Sequence, residues 1–546
     1  MTGTRIPPVP CTDGADTLFT NGTIYVDLGY MRGAAPRAET ALAVKDGRVA
    51  AVGEAATELA GPHTAVVDLQ GACVFPGWND NHIHVTATNY ITRQGVMLAT
   101  PDGGPADTMD AVCGLVAAFA AKHPDKACIL GNGWDMPLDR AVGTALDAVV
   151  PDKVVWLMDK HGHAALTNSA GLRLAAIDAR TPDPTGGTIY KDASGQPNGL
   201  LGENAMGLVG GRLAYGYREV SDGLQENLDH LASLGLTGFT DIVGAPGNLS
   251  FAHPDYYPQV FTDMETRGTL PLRVFYHVPV FGLGDVDVAR RFMDDPSKNT
   301  ELVSCVGGKL WVDGAFFDGN AWTRFEHLNR AGYHGACNHT PDELAAIVGR
   351  ACEIGLPMQY HATGDQAIDA IVSALEAHGS GGLRHVMVHG SMIDEELVRR
   401  MIAIGMPVAA QYNFWGFMRE APNAVAAYGR EAFEASFDFG RWLDLGLPIS
   451  ASTDLPACLT YRPIENMAYG FDPPFGGRSL SAGELLGGYS AGTAFALSAE
   501  RDLGRLVPGY KADMVVVDGD AAAITTAEAF RRLRVLQTWV GGVRRH

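Results

Sequence analysis

No two of the eight cysteines (Cys11, Cys73, Cys113, Cys128, Cys305, Cys337, Cys352, Cys458) form a C-x-x-C pair. That excludes a thiolate zinc ribbon or a thioredoxin-like motif and predicts reduced, mostly buried thiols in place of a disulfide framework. No apolar run is long enough to cross a bilayer, so no membrane partner is expected. The opening stretch MTGTRIPPVPCTDGAD lacks the apolar core of a secretory signal, and the expected location is the cytoplasm. Basic residues are scarce: 41 Lys and Arg stand against 62 Asp and Glu, a formal net charge of −21. Such a surface does not suit a nucleic acid, and a small-molecule substrate is the expected partner. What is present is ordinary globular material, 46 % apolar and 19 % charged. A chain of 546 residues exceeds one compact core, so a large domain with a smaller one is the default.

Residues 17 to 77 show short β-favouring runs, "TLFTNGTIYVD", "ALAVKDGRVAAVG" and "TAVVDLQGACVFPG", with hairpin signals at Asn21-Gly22 and Asp46-Gly47. Similar runs return near the other end, in "ADMVVVDGD" and "VLQTWVGGVRR". Two strand-rich ends predict a small β-sandwich domain built from both termini, residues 1–77 and 501–546. Between them, eight apolar runs alternate with amphipathic segments: "VFPGWNDNHIHV", "GLTGFTDI", "PLRVFYHVPV", "VGGKLWVDGA", "LPMQYHATGD", "RHVMVHGS", "MPVAAQYNF" and "LPISASTDL". Strand-then-helix repetition predicts a parallel sheet, and eight repeats predict an α/β fold of the (β/α)8 TIM-barrel type over residues 78–500. The stretch from about 88 to 220 is too long for one crossover and carries strands of its own, so it reads as an insertion after the first barrel strand.

Polar residues gather where the apolar part of these runs ends. His82 and His84 close the first, Lys309 lies in the fourth, His361 closes the fifth, His389 the sixth and Asp454 the eighth. The C-terminal ends of barrel strands carry active sites. Taken singly, each residue has a plain alternative: a solvated strand-end histidine, a lysine reaching water, an aspartate in a turn. His277 and His385 keep that reading. Buried together, six such groups would be costly without a ligand, and nitrogen and oxygen donors suit zinc or a similar divalent ion. The spacing His82-x-His84 would put both imidazoles on one side of a strand. A second pair, His161-x-His163, lies in the insertion and has no such partners.

These motifs resemble the amidohydrolase superfamily, in the branch that includes N-substituted formamide deformylases. "FPGWNDNHIHV", "VGGKLWVDGA", "YHATGDQAID", "VMVHGS" and "ASTDLP" are similar to its barrel-strand signatures. "GNGWD", "DKHGHAALTNSAGL" and "GRLVPGYKADMVVVD" are similar to its insertion and its return to the β domain. The resemblance implies two divalent metals, with zinc the expected ion: His82, His84 and Asp454 on one, His361 and His389 on the other, and Lys309 bridging them as its carbamate. A neutral buried lysine can react with carbon dioxide to give such a bridge. It also implies a place for His163 near the barrel mouth and a homodimeric assembly.

The chemistry implied is cleavage of a C–N bond (amide, formamide or cyclic amide) by metal-activated hydroxide, with Asp454 moving the proton. Trp134, Trp311, Phe316, Phe317, Phe414 and Trp415 fall in segments near the expected mouth and would suit an apolar or aromatic substituent, although core packing explains each as well. Trp134, His163, Trp311 and Asp313 are the candidate substrate-binding residues. The competing readings are a metal-dependent lyase or decarboxylase on the same barrel and a catalytically inactive scaffold. The terminal β domain favours the hydrolase, and the complete ligand set speaks against the scaffold.

Overall fold

The computed structural model describes residues 14–30, 35–98, 104–160, 162–213, 217–242 and 256–546; Cys11 and His161 lie outside them. Eight strands stand in chain order in one parallel sheet: β1 (Trp78–Asp80), β2 (Leu236–Ile242), β3 (Arg273–Val280), β4 (Val303–Trp311), β5 (Met358–Ala362), β6 (Val386–His389), β7 (Val408–Gln411) and β8 (Ile449–Ser452). Each falls on one of the eight apolar runs. Beyond β1 and β8 the backbone continues the ladder. Asn81 N donates to Ala451 O (3.0 Å), Asp454 N to His82 O (2.9 Å) and His84 N to Leu455 O (2.8 Å), which closes the sheet into a barrel.

The covering helices follow from local sequence. In "TPDELAAIVGRACE" the Thr340 hydroxyl accepts from Glu343 N while the Glu343 carboxylate accepts from Thr340 N, a capping box with Pro341 in the first turn. Leu344, Ile347, Val348 and Ala351 recur at helical spacing and are buried between Pro341–Glu353 and the sheet. Asp394 caps Glu395–Ala403 in the same way, accepting from Leu397 N. No helix among the described residues is long and apolar enough to cross a membrane.

Strands from both ends of the chain form two further sheets. One runs Arg48–Val52, Leu42–Lys45, Thr17–Thr20, Ala65–Asp68; the other runs Val543–Arg544, Val535–Val540, Met514–Val517, Cys73–Pro76, Thr23–Asp27, Arg37–Glu39. Phe19, Leu42 and Val44 from the first share one apolar core with Ile24, Val74, Met514 and Trp539 from the second. The Asp46-Gly47 signal marks a true hairpin, with Leu42–Lys45 antiparallel to Arg48–Val52. Asn21-Gly22 does not. Thr17–Thr20 and Thr23–Asp27 belong to different sheets, and Gly22 is needed because a Cβ there would lie 2.5 Å from Ala72 O.

The first apolar run also divides. Cys73–Pro76 pairs with Met514–Val517 in the terminal sheet, and only Trp78–Asp80 enters the barrel. Gly77 makes the step between them, where a side chain would strike Thr237 Oγ1 at 2.4 Å. The insertion has its own six-stranded sheet, ordered Gly187–Lys191, Pro197–Glu203, Ala164–Thr167, Val154–Asp159, Cys128–Trp134, Val96–Met97, with an apolar cluster on each face.

Barrel and terminal sheet are joined by a buried charge pair. Arg273 on β3 donates from Nε and Nη2 to the two carboxylate oxygens of Asp513 (2.6 and 3.0 Å), and the side chains are 3 % and 4 % exposed. Asp513 Oδ1 also accepts from Gly541 N. Removing Asp513 would leave the buried guanidinium only Glu301, whose exposed carboxylate lies 3.3 Å from Nη1. Asp513→Ala is expected to lose about 3–5 kcal/mol of stability, read as a fall in urea and thermal midpoints, with Arg273→Leu in the same chain restoring part of it. A loss below about 1 kcal/mol would mean water reaches the guanidinium.

Candidate metal centre

His82 and His84 are not on a strand. β1 ends at Asp80, the helix Val85–Gln94 starts directly after His84, and both imidazoles sit in the connection between. Strand pleating therefore does not bring them together; the carboxylate across the barrel seam does. Their Nε2 atoms lie 3.2 and 3.3 Å from the same oxygen, Asp454 Oδ1. All three residues are buried, and their ligand atoms fall within 4.8 Å of one another. The cluster continues through His389, whose ring is 5.6 Å from that of His82, to His361, 4.8 Å from His389. Lys309 is fully buried on β4, and neither its Nζ nor His361 Nε2 has a hydrogen-bond partner.

Burial sets the protonation of the group. It drives His82 and His361 well below the usual imidazole range and His389 down to about 4. It also brings Lys309 down to about 7. For Asp454 burial pushes upward, but the hydrogen bonds from His82 and His84 prevail and hold the carboxyl well below its ordinary value. Neutral His82, His361 and His389 beside an ionised carboxylate are in the state that binds a cation. With two buried nitrogens that lack a hydrogen bond, this donor set fits a divalent metal: His82, His84 and Asp454 form one candidate ligand group, and His361, His389 and Lys309 border it.

Two of these residues have left-handed backbone, His389 at φ 68° and Asp454 at φ 64°, a conformation that side chains other than glycine adopt at a cost. The surroundings hold them. His389 Nδ1 is 2.9 Å from Gln411 Oε1, which leaves Nε2 as the nitrogen available to a ligand, and Gln411 Nε2 donates to Ser452 Oγ (2.7 Å). The Asp80 carboxylate accepts from Thr453 Oγ1 (2.5 Å), Thr453 N and His82 N, tying the histidine connection to the Asp454 turn.

The substrate-binding candidates separate. His163 stands at the mouth: its ring is 5.4 Å from that of His361, and its Nδ1 is 2.9 Å from Glu203 Oε2. Burial alone would lower its pKa, but the Glu203 carboxylate outweighs it and raises the imidazole to about 10. Trp311 ends β4 two residues beyond Lys309, stacks on Phe281 at 5.8 Å and helps line a cavity of about 320 Å³. Trp134 lies in the wall of a cavity of about 240 Å³ that His163 also lines. It is 1 % exposed in the core of the insertion, and its indole N–H is committed to Leu157 O (2.9 Å). Asp313 is fully buried, with Oδ1 3.7 Å from His361 Nε2; it accepts from the backbone of Trp322, Thr363 and Gly364 and from the Thr363 hydroxyl, so it braces the loops around the site.

His385 precedes β6, at the opposite end from His389, and packs against Tyr360. Phe316, Phe317 and Phe414 line a narrow cleft of about 50 Å³ with His361, His389 and Asp454, while Trp415 is turned away onto Phe439.

The amidohydrolase family model matches residues 65–546. The chain belongs to the amidohydrolase family. Metal-dependent hydrolysis is accordingly its general chemistry. This amidohydrolase is 27 % identical to the N-substituted formamide deformylase of Arthrobacter pascens, over 93 % of this chain and 94 % of that one. It is 26 % identical to the protein LONG AFTER FAR-RED 3 of Arabidopsis thaliana, over 97 % and 91 %. Among solved structures, a metal-dependent hydrolase of Pyrococcus horikoshii shares the fold, with TM-score 0.71 and 21 % identity over 93 % of this chain and 98 % of that one.

Asp80, Glu203 and Gln411 escaped the sequence reading. Asp80 carried a signal, two residues before His82, whereas Gln411 and Glu203 matter only through partners distant in the chain. Gln411→Ala would leave His389 Nδ1 without its brace. Such losses typically cost 10–100-fold in metal affinity, and about that weakening is expected in competition with a chelator, with the thermal midpoint changed by only a few degrees.

Proposed function

We propose that this amidohydrolase cleaves the C–N bond of an amide, formamide or cyclic amide in a small molecule with an apolar or aromatic substituent, giving a carboxylate and an amine. The observation that carries the reading is the continuous buried set of His82, His84, Asp454, His389 and His361 beside a lysine amine that has no hydrogen-bond partner. The donors suit zinc: His82, His84 and Asp454 would hold one ion, His361 and His389 would hold a second, and Lys309, as its carbamate, would serve both. The terminal strands are read as one small β-sandwich domain supporting the barrel from outside.

Bound metal supplies Lewis acidity towards the substrate carbonyl and the attacking water. The remaining work belongs to side chains. Asp454 is kept ionised, and its carboxylate takes the proton released by the attacking water and passes it to the departing nitrogen. His163, fixed by Glu203, presents Nε2 towards the mouth, where it orients the substrate. Phe317 and Phe414 exclude water and receive the apolar group.

Metal analysis of protein supplied with zinc and bicarbonate should give two ions per chain, and fewer for Lys309→Ala; one ion in both would remove the bridging role. With metal bound, a panel of small N-substituted amides should release amine, and Asp454→Asn should lower kcat by about 10²–10⁴-fold with little change in KM. No amine from any member of the panel would defeat the hydrolase reading.

A further inference from the structure

The cleft beside the candidate metal ligands is lined by five phenylalanines, Phe316, Phe317, Phe414, Phe417 and Phe437, and offers about 50 Å³. A cavity that accepts benzene is roughly 150 Å³, so the cleft as built takes a group of a few heavy atoms and no ring. Whether that limit is fixed depends on whether a wall can yield. Phe414 lies flat on the ligand His389, at 5.7 Å and 9°, and cannot swing without disturbing it. Phe437 is held harder still.

Its backbone is left-handed, at φ 54°, an outlier for a bulky side chain that persists only when the surroundings enforce it. They do. Phe437 N donates to Ser391 O (2.9 Å), and Phe437 O accepts from Phe439 N (2.8 Å) and from the Trp415 indole (2.9 Å). The ring, 1 % exposed, stacks on Phe317 at 5.7 Å and 8° and meets Phe316 and Phe414 edge-on at 5.1 and 5.9 Å. A wall clamped through its backbone on one side and through three rings on the other does not adapt to a ligand. Larger space exists elsewhere, since His163 also lines cavities of about 240 and 320 Å³.

We infer that Phe437 is the specificity-determining residue of this site, its clamped ring restricting one side of the scissile bond to a small apolar group while the other side carries the bulk. The inference rests on the hydrolase reading above and adds the substrate class: amides with a ring on one side of the bond only.

Three amides test it with the metal-loaded full chain. N-phenylacetamide and N-methylbenzamide each carry one ring, on opposite sides of the bond; N-phenylbenzamide carries both. The wild type should favour the better single-ring amide over N-phenylbenzamide by about tenfold or more in kcat/KM, and Phe437→Ala should shrink that preference at least tenfold. Phe437→Leu, which keeps more of the packing, should fall between, and thermal midpoints of both variants report whether the fold is intact. Turnover of N-phenylbenzamide by the wild type within threefold of the single-ring amides overturns the inference, as does a preference unchanged in both folded variants. Either result leaves the hydrolase reading standing, because that reading fails only if no amide yields amine.

Discussion

The site depends on the seam that closes the barrel. Three backbone hydrogen bonds, from Asn81 to Ala451, from Asp454 to His82 and from His84 to Leu455, join the ends of β1 and β8. His82, His84 and Asp454 are among the residues so joined, so closing the barrel and bringing these three candidate ligands together are one event. A closed sheet has no edge to fray, which gives the connection 81–84 a fixed position that a loop of that length would not have alone. β1 has three residues and makes few ladder bonds of its own. It is held from behind: Cys73–Pro76 is paired to Met514–Val517, Gly77 N donates to Asp513 O, and Asp513 grips Arg273 on β3. The terminal sheet thereby anchors the shortest barrel strand, and through it the histidines.

What the seam brings together would be unfavourable without a cation. Buried imidazole nitrogens and a buried amine with no partners cost free energy that packing does not return. Burial lessens the cost by keeping the imidazoles neutral, and the same neutrality makes them ligands. The Asp454 charge answers only part of this. Stability and metal affinity are thus coupled: the groups that destabilise the empty cluster are those that hold an ion, and binding it relieves both.

Most of the barrel was legible because its signals are periodic. Eight apolar runs spaced by amphipathic helices leave few alternatives, and the candidate ligands stood out because they gather in or just beyond the C-terminal parts of those runs. The misreadings share a cause. "VFPGWNDNHIHV" looks like one strand, and only the approach of Thr237 to Gly77 shows why it must break. Asn21-Gly22 has hairpin chemistry, yet the strands it joins find better partners in two sheets. The polar atoms of Trp134 and Asp313 bond to Leu157 and to the 363–364 backbone, contacts that no local motif announces. Gln411, Glu203 and Phe437 carry no local pattern at all. Their roles come from contacts across the fold, which a single sequence does not encode visibly.

Backbone strain links these missed residues to the found ones. His389, Asp454, Glu203 and Phe437 all have positive φ, and all four border the site or its mouth. Each conformation aims a side chain where an unstrained backbone would not: two ligands at the metal group, a carboxylate at His163, a ring into the cleft. Glycine would relax every one of them and supply none of the side chains. The strain persists because each position is over-determined, Asp454 by the seam, His389 by Gln411, Glu203 by its amide on His163 O, Phe437 by Ser391 and Trp415. Fixed placement of ligands and a fixed cleft wall have the same origin here. A site that tolerates so little motion gains preorganised chemistry, and it loses the freedom to reshape itself around a larger substrate.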